Sequence, residues 1–420
     1  MNKYWKVFLI LSLVVGVAYA ALYLISDEYY MEWGFINRDG KWVIEPQYLR
    51  VYKFAFDPEW DEFNEGVVTV FKEGKGFGVI DKNNNWVIAP QKEFSSIGHA
   101  INGRILALKL IGGVLKAGCY DTRGNKIIPF KYDLVAPERQ GLMLVKLHNK
   151  HGYIDRNGNS VIKIEFDEAE PFSFGAACVK KDGKHGFIDR KGAYIVPLSY
   201  DYAFPFHDGL AQVGKTVEKE GEKTIVYGYI NPKGKVVIPL TLTGDMPDFL
   251  FGFDYIFSCG RARFFENGKW GFIDKKGQKV IAAQYEDVDA FCENLARVKM
   301  DGKYGYIDLE GQLVIPAIYD EASIEWKDGR ILVAIDKKCG FINSKGEQTI
   351  PMKFADLGIF EEGLAVASLD RKKYGYIDTT GKFVIPAKYA TARNFSSGYA
   401  KAAVKYKSIK RYLYKKYRGF

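Results

Sequence analysis

Seven aspartates, Asp81, Asp121, Asp155, Asp189, Asp274, Asp308 and Asp378, recur at one position of a repeating pattern. A row of carboxylates is what a calcium site or an acid/base pair would need. Calcium takes several oxygens converging from one loop, whereas each turn here supplies a single acid and no D-x-D-x-D-G run exists. The place of these acids before x-x-Gly, as in Asp189-Arg190-Lys191-Gly192, fits a turn closed by a residue with positive φ. Asp bonds the turn backbone there and Gly is unstrained. The recurrent acids are therefore expected to form bends.

His151 and His185 hold the same position in adjacent units and could face each other as metal ligands. Sister units carry Trp, Tyr, Phe or Cys there, so imidazoles packed in place of rings are expected, and no third and fourth ligand for zinc is apparent. Of the five cysteines, Cys119, Cys178 and Cys339 stand where sister units are apolar or aromatic and read as small buried fillers. Cys259 and Cys292 lie in neighbouring loops and could bridge, although an odd count argues against a disulfide framework. Phosphate-loop, dinucleotide, G-x-S-x-G and H-E-x-x-H patterns are missing from the sequence. These residues imply neither catalysis, a cofactor nor a metal.

The positions that carry them belong to a unit best seen from Trp270 to Val298. It reads Trp270-Gly271-Phe272-Ile273-Asp274, then Gly277, Val280-Ile281, Tyr285, Phe291 and Leu295-Ala296-Arg297-Val298. The order returns at Tyr304-Gly305-Tyr306-Ile307-Asp308 and at Tyr374-Gly375-Tyr376-Ile377-Asp378. Ten glycines mark ten units: Gly34, Gly78, Gly118, Gly152, Gly186, Gly228, Gly271, Gly305, Gly340 and Gly375. The period is about 34 residues where spacing is tight, which signifies a repeat architecture. Insertions fall after Tyr48, around Ile111-Gly112-Gly113, across 215–224 and across 243–253. Such insertions map to loops and often to a binding side.

Each unit resolves into three short strands. Segments such as Leu364-Ala365-Val366-Ala367 form the first, aromatic-Gly-aromatic-Ile-Asp the second, and a run ending in Val-Ile-Pro the third, with proline expected to end it. The result is an all-β chain of about ten tandem three-stranded antiparallel meanders in a curved solenoid or propeller-like array. Ten units exceed the usual four to eight blades of a propeller and favour the open form. A strand glycine in every unit implies that a neighbouring aromatic or backbone packs where a Cβ would sit.

Composition agrees, with 28 Tyr, 29 Phe and 43 Gly in 420 residues. The net charge of +9 is thin over 60 basic and 51 acidic residues, so nucleic-acid binding is not expected. Only the segment 401–420 is strongly basic, and it reads as a closing strand with a solvated end, or as a contact for an anionic surface.

At the other end, Lys3 and Lys6 precede an apolar run from Val7 to Ile25, long enough to cross a bilayer with its N-terminus cytoplasmic. Ala18-Tyr19-Ala20 also fits a signal cleavage site, and either reading exports the repeats. Three regions result: an N-terminal signal anchor or signal peptide over 1–30, a β-repeat domain over 31–402 and a basic tail over 403–420.

The W-G-F-I-D, x-x-G, V-I-P order resembles the WG-repeat family, whose bacterial β repeats are often found on exported or membrane-anchored proteins. The pattern departs at Asn84, which replaces a turn glycine, at Ala117, which replaces a leading aromatic, and at Lys163 and Ala282, which replace the proline. The resemblance implies a binding or scaffolding role and transfers no functional residues. A membrane-anchored or secreted scaffold binding protein or peptide at the cell surface is thus expected, with cell-wall polysaccharide as the alternative ligand. Trp60, in the long loop from Val51 to Phe63, and Trp326 are the candidate exposed contacts; Trp42 and Trp86 could also face outward.

Overall fold

The computed structural model describes residues 29–49, 62–219, 221–242 and 255–408. Every regular element among them is a β-strand, and the sheets are antiparallel and follow chain order. A typical unit has four strands rather than the expected three: Leu134–Val135, Leu142–Leu147, Lys150–Asp155 and Ser160–Phe166. The additional strand comes first and holds only two residues, paired as Leu134 with Lys146 and Val135 with Val145. Two residues are too few for a period-2 pattern to show in sequence.

The last strand of a unit does not end at its proline. Leu313–Tyr319 runs through Pro316, and its register against the preceding strand jumps between Tyr304 paired with Tyr319 and Tyr306 paired with Ile315. Pro316 sits in that bulge, where no ladder hydrogen bond is asked of it, and the bulged proline also blunts an edge strand against further pairing. The bulge explains the strand glycine. A Cβ on Gly305 would stand 2.7 Å from Ala317 N and Ile315 O, and one on Gly271 only 2.5 Å from Ile281 O. The contact is with backbone, which cannot yield as a side chain can.

Successive sheets stack face to face on aromatic pairs. The ring after the strand glycine in one unit meets a ring from the next, as in Tyr153–Phe172 and Phe272–Phe291, both with centroids 4.8 Å apart. In two neighbouring seams the equivalent places hold Val79 with Ala100 and Cys119 with Glu138. Turn glycines add a second contact, because Gly192, Gly311 and Gly381 lie on Ile162, Ile281 and Ile350 of the unit before. Asn84 serves at its turn by taking a φ of 66°, which Asn tolerates.

The array closes on itself, which contradicts the open solenoid. Tyr29–Ile36 pairs with Tyr399–Ser408, and with Thr391–Ser396 and Trp42–Leu49 they form one end of a seven-stranded sheet, assembled from both ends of the chain, that continues through Val67–Lys72, Gly76–Asp81 and Trp86–Gln91. The boundaries expected at 30/31 and 402/403 fall within these strands. The expected N-terminal helix lies outside the described residues; within them, no helix is long and apolar enough to cross a membrane.

Antiparallel order sorts the loops onto two faces. One carries the hairpins between the second and third strands of each unit together with the connections between units, since Asp167 Oδ2 accepts Asp182 N and Asp201 Oδ2 accepts Thr216 N, both at 2.8 Å. The other carries the Asp-x-x-Gly turns and the aromatic-x-x-Gly loops. There Arg156 Nη2 donates to Asn102 O at 3.1 Å and Lys275 Nζ to Asp208 O at 2.7 Å.

Candidate functional site

The recurrent aspartates form turns, as their spacing suggested. Asp155 Oδ1 accepts the backbone N–H of Asn157 and Asn159 at 2.8 and 2.9 Å, and Asp189 does the same with Lys191 and Ala193. Asn231 and Asn343 make the same pair of bonds through an amide oxygen. A neutral residue thus suffices, so the charge is not what the position requires.

A second acidic row is one that sequence reasoning misses. Asp133, Asp167, Asp201 and Asp320 follow the aromatic residue that ends each unit. One carboxylate oxygen of each meets a lysine: Lys116 at 2.6 Å, Lys150 at 2.5 Å, Lys184 and Lys303. The other oxygen caps a hairpin by accepting the N–H of His148, Asp182, Thr216 or Asp336, each at 2.8 Å. The Lys150 hydrogen bond, followed by the Asp182 N–H, holds the Asp167 carboxyl below the usual range. The sequence signal is a lysine two residues before the strand glycine, present at Lys116, Lys150, Lys184, Lys269, Lys303, Lys338 and Lys373.

His151 and His185 are half-buried, and each Nδ1 lies within hydrogen-bond distance of a backbone oxygen, Asp167 O at 2.9 Å and Asp201 O at 3.0 Å. Burial lowers both pKa values, so the rings are neutral near pH 7. Among the described residues no group of three or more His, Cys, Asp or Glu could hold a metal ion. Cys119 and Cys178 are buried, and burial pushes the Cys119 thiol up to about 11. Cys339 is half-buried, while Cys259 and Cys292 are exposed free thiols rather than a bridge.

Trp326 corrects the sequence expectation. It is 7% exposed, and its ring lies 5.7 Å from that of Tyr306 within the cluster that includes Ile331, Val333 and Ile342. It fills the position of Phe172, Phe291 and Phe360 in sister units and is a core ring, not a contact surface. Trp60 lies outside the described residues. Trp86 is 39% exposed and meets Tyr48 edge-on, while Trp42 is half-buried against Tyr389.

The two-residue strands form one edge of the sheets, and chemistry collects along it. The segments 133–137, 167–171, 201–205, 286–290, 320–324 and 355–358 hold eleven acidic residues and no lysine or arginine, in a chain whose net charge is +9. A cleft of about 280 Å³ opens on this edge between two units, lined by Glu168, Glu170, Lys180, His185, Asp201 and Tyr202 among others. Lys180 holds Glu168 at 2.8 Å, and the nearby Cys178 thiol is raised by burial. The cleft offers hydrogen-bond acceptors and the rings of Tyr202 and Phe204, and its one thiol is kept protonated by burial.

The profile of the WG containing repeat family matches ten segments, 33–57, 77–109, 118–150, 152–184, 186–215, 227–243, 270–304, 304–339, 340–372 and 374–407. Among curated proteins none matches the sequence. Similar solved structures include a eukaryotic initiation factor at 9% identity and TM-score 0.45, covering 76% of this chain and 95% of that one. They also include Kluyveromyces lactis Hsv2p at 8% identity and TM-score 0.30, covering 68% and 93%, and the tricorn protease at 13% and 0.22, covering 79% and 40%.

Proposed function

Because the chain belongs to the WG containing repeat family, we propose that it is a non-catalytic scaffold: a closed, propeller-like ring held at the outer side of a membrane by its N-terminal apolar segment, binding protein or peptide. The observation that carries the binding reading is the acidic edge. Six of its segments hold eleven carboxylates and no lysine or arginine of their own; Lys116, Lys150, Lys180, Lys184, Arg297 and Lys303 pair with six of the eleven from adjacent strands, and the other five suit an extended partner rich in basic residues. Complementary charge of this kind speeds encounter and is sensitive to salt.

The test is binding of an arginine- and lysine-rich peptide to the purified full chain across a salt series. The expected result is affinity that falls with salt and drops at least tenfold in Glu168→Gln, Asp287→Asn, Glu321→Gln. Equal binding by the variant, or preference for an acidic peptide, would reject the reading. Anchoring is tested separately, by resistance of the chain to alkaline carbonate extraction and by protease access from outside the cell.

The alternative, wall-polysaccharide binding, has less support once Trp326 is a core ring. It now rests on Trp60, so retention on purified wall polymer that is lost in Trp60→Ala would favour it over the peptide reading.

A further inference from the structure

We infer that the hairpin Arg104–Ile111/Val114–Asp121 is a lipid-contacting tip that seats the ring on a bilayer surface. The hairpin is longer than those of most units, and its Gly112-Gly113 turn has φ values of 57° and 81°, as a tight two-residue turn requires. Its end is apolar on both sides. Leu110, Ile111, Val114 and Leu115 are between 44% and 53% exposed, and a run of large aliphatics open to water marks an interaction site. A cleft of about 580 Å³ beside it, lined by Phe71, Phe77, Leu110 and Leu115 among others, extends the apolar surface.

Length alone does not dictate this composition. The other extended hairpin, Ala211–Lys219/Glu222–Ile230, has Glu218, Lys219, Glu222 and Lys223 at its end. Shorter hairpins turn on polar residues such as Lys181-Asp182-Gly183-Lys184.

The closing sheet shows which partner fits. In it, Tyr399–Ser408 and Tyr29–Ile36 take the places of the two strands that a hairpin joins in other units, and Tyr29 pairs with Ser408 where that hairpin would be. The chain therefore enters and leaves the array from the face that bears the apolar tip. The residues before Tyr29 include the run Val7–Ile25, and those after Ser408 include Lys410, Arg411, Lys415, Lys416 and Arg418. The tip shares its face with the strand ends Tyr29 and Ser408, and the sequence beyond those ends, apolar on one side and basic on the other, has the composition that an anionic bilayer attracts. The choice of a bilayer over a protein rests in part on the proposed membrane anchor.

The test uses the full chain reconstituted in vesicles containing anionic lipid, with Cys259→Ser, Cys292→Ser and Cys339→Ala as background. An environment-sensitive fluorophore is placed at Val114→Cys, or at Glu310→Cys on the opposite face. The expected result is a blue-shifted emission at position 114 that nitroxide-labelled lipid quenches, with neither effect at 310. Adding Leu110→Ser and Leu115→Ser should abolish both effects. A probe at 114 that stays as water-exposed as at 310, or that shifts only when a protein partner is added, overturns the inference. Carbonate extraction separates the two claims: a quenched tip on an extractable chain rejects the anchor alone, and an unquenched tip on a resistant chain rejects the tip alone.

Discussion

Tyr389 Oη donates a hydrogen bond of 2.9 Å to Gly40 O across 349 positions of sequence, and Ile385 Cγ2 stands 2.8 Å from where a Cβ on Gly40 would be. The same turn-glycine contact joins neighbours throughout the array. At Gly40 it joins the last unit to the first.

Gly40→Ala should therefore destabilise the chain more than Gly74→Ala. Both glycines have positive φ, 71° and 73°, so both substitutions carry the strain of about 1 kcal/mol that a Cβ brings there. Nothing lies within 4 Å of a Cβ at Gly74, whereas at Gly40 it meets Ile385. Overpacking adds about 1–3 kcal/mol. Thermal melts of the two variants should differ accordingly, and equal midpoints would mean that the contact is not made.

Trp326→Ala should cost about 3–5 kcal/mol, as loss of a buried ring does. Trp326→Phe restores the residue type of sister units and should cost much less. Denaturant unfolding of both variants, beside a peptide-binding assay, separates a core role from a contact role. A folded Trp326→Ala protein with unchanged stability and lost binding would reinstate the surface reading.

Stability should fall with acid in two stages. His99, His151, His185 and His207 have folded pKa values lowered by burial, so their contribution is complete above the unfolded value of about 6.5 and is lost as pH falls through the folded values. Asp133, Asp167, Asp201 and Asp320 are lowered chiefly by their lysine hydrogen bonds. Their contribution is present above about 3.9 and is lost below it. His151→Phe with His185→Phe, which supplies the sister-unit residue type, should shrink the first stage and leave the second. A melting profile unchanged between pH 7 and 5 would refute the assignment.

Asp320→Ala should lower the melting point more than Lys303→Met. The lysine removes only an exposed ion pair, which contributes little in water, while the aspartate also caps the Asp336 N–H. Equal effects would show that the hairpin cap contributes nothing.

The parts legible in sequence are those fixed by local chemistry. A strand glycine, a turn carboxylate and a hairpin each act within a few residues, so ten copies can be aligned and the reason for Gly271 anticipated. The two-residue strand Leu134–Val135 is too short to register, and Pro316 reads as a strand end because a bulge is defined by the opposing strand. Trp326 reads as an exposed contact although it stands four residues before Arg330 just as Phe291 stands before Leu295. Aligning the units places it in the core, whereas its residue type alone makes it look like an exception to the repeat. Closure depends on Tyr29–Ile36 meeting Tyr399–Ser408; the segment from 401 reads as a closing strand in sequence, but its partner at the other end of the chain does not. The acidic edge becomes apparent only when the same short connection is compared across units.

Hydrogen–deuterium exchange of the first strand tests the closed ring most directly. In the ring, the amides of Glu32–Ile36 lie between Trp42–Leu49 and Tyr399–Ser408. They should exchange as slowly as those of Lys184–Asp189, which are likewise flanked on both sides. Deletion of 399–420 should release them. Fast exchange of Glu32–Ile36 in the intact chain, with Lys184–Asp189 still protected, would contradict closure.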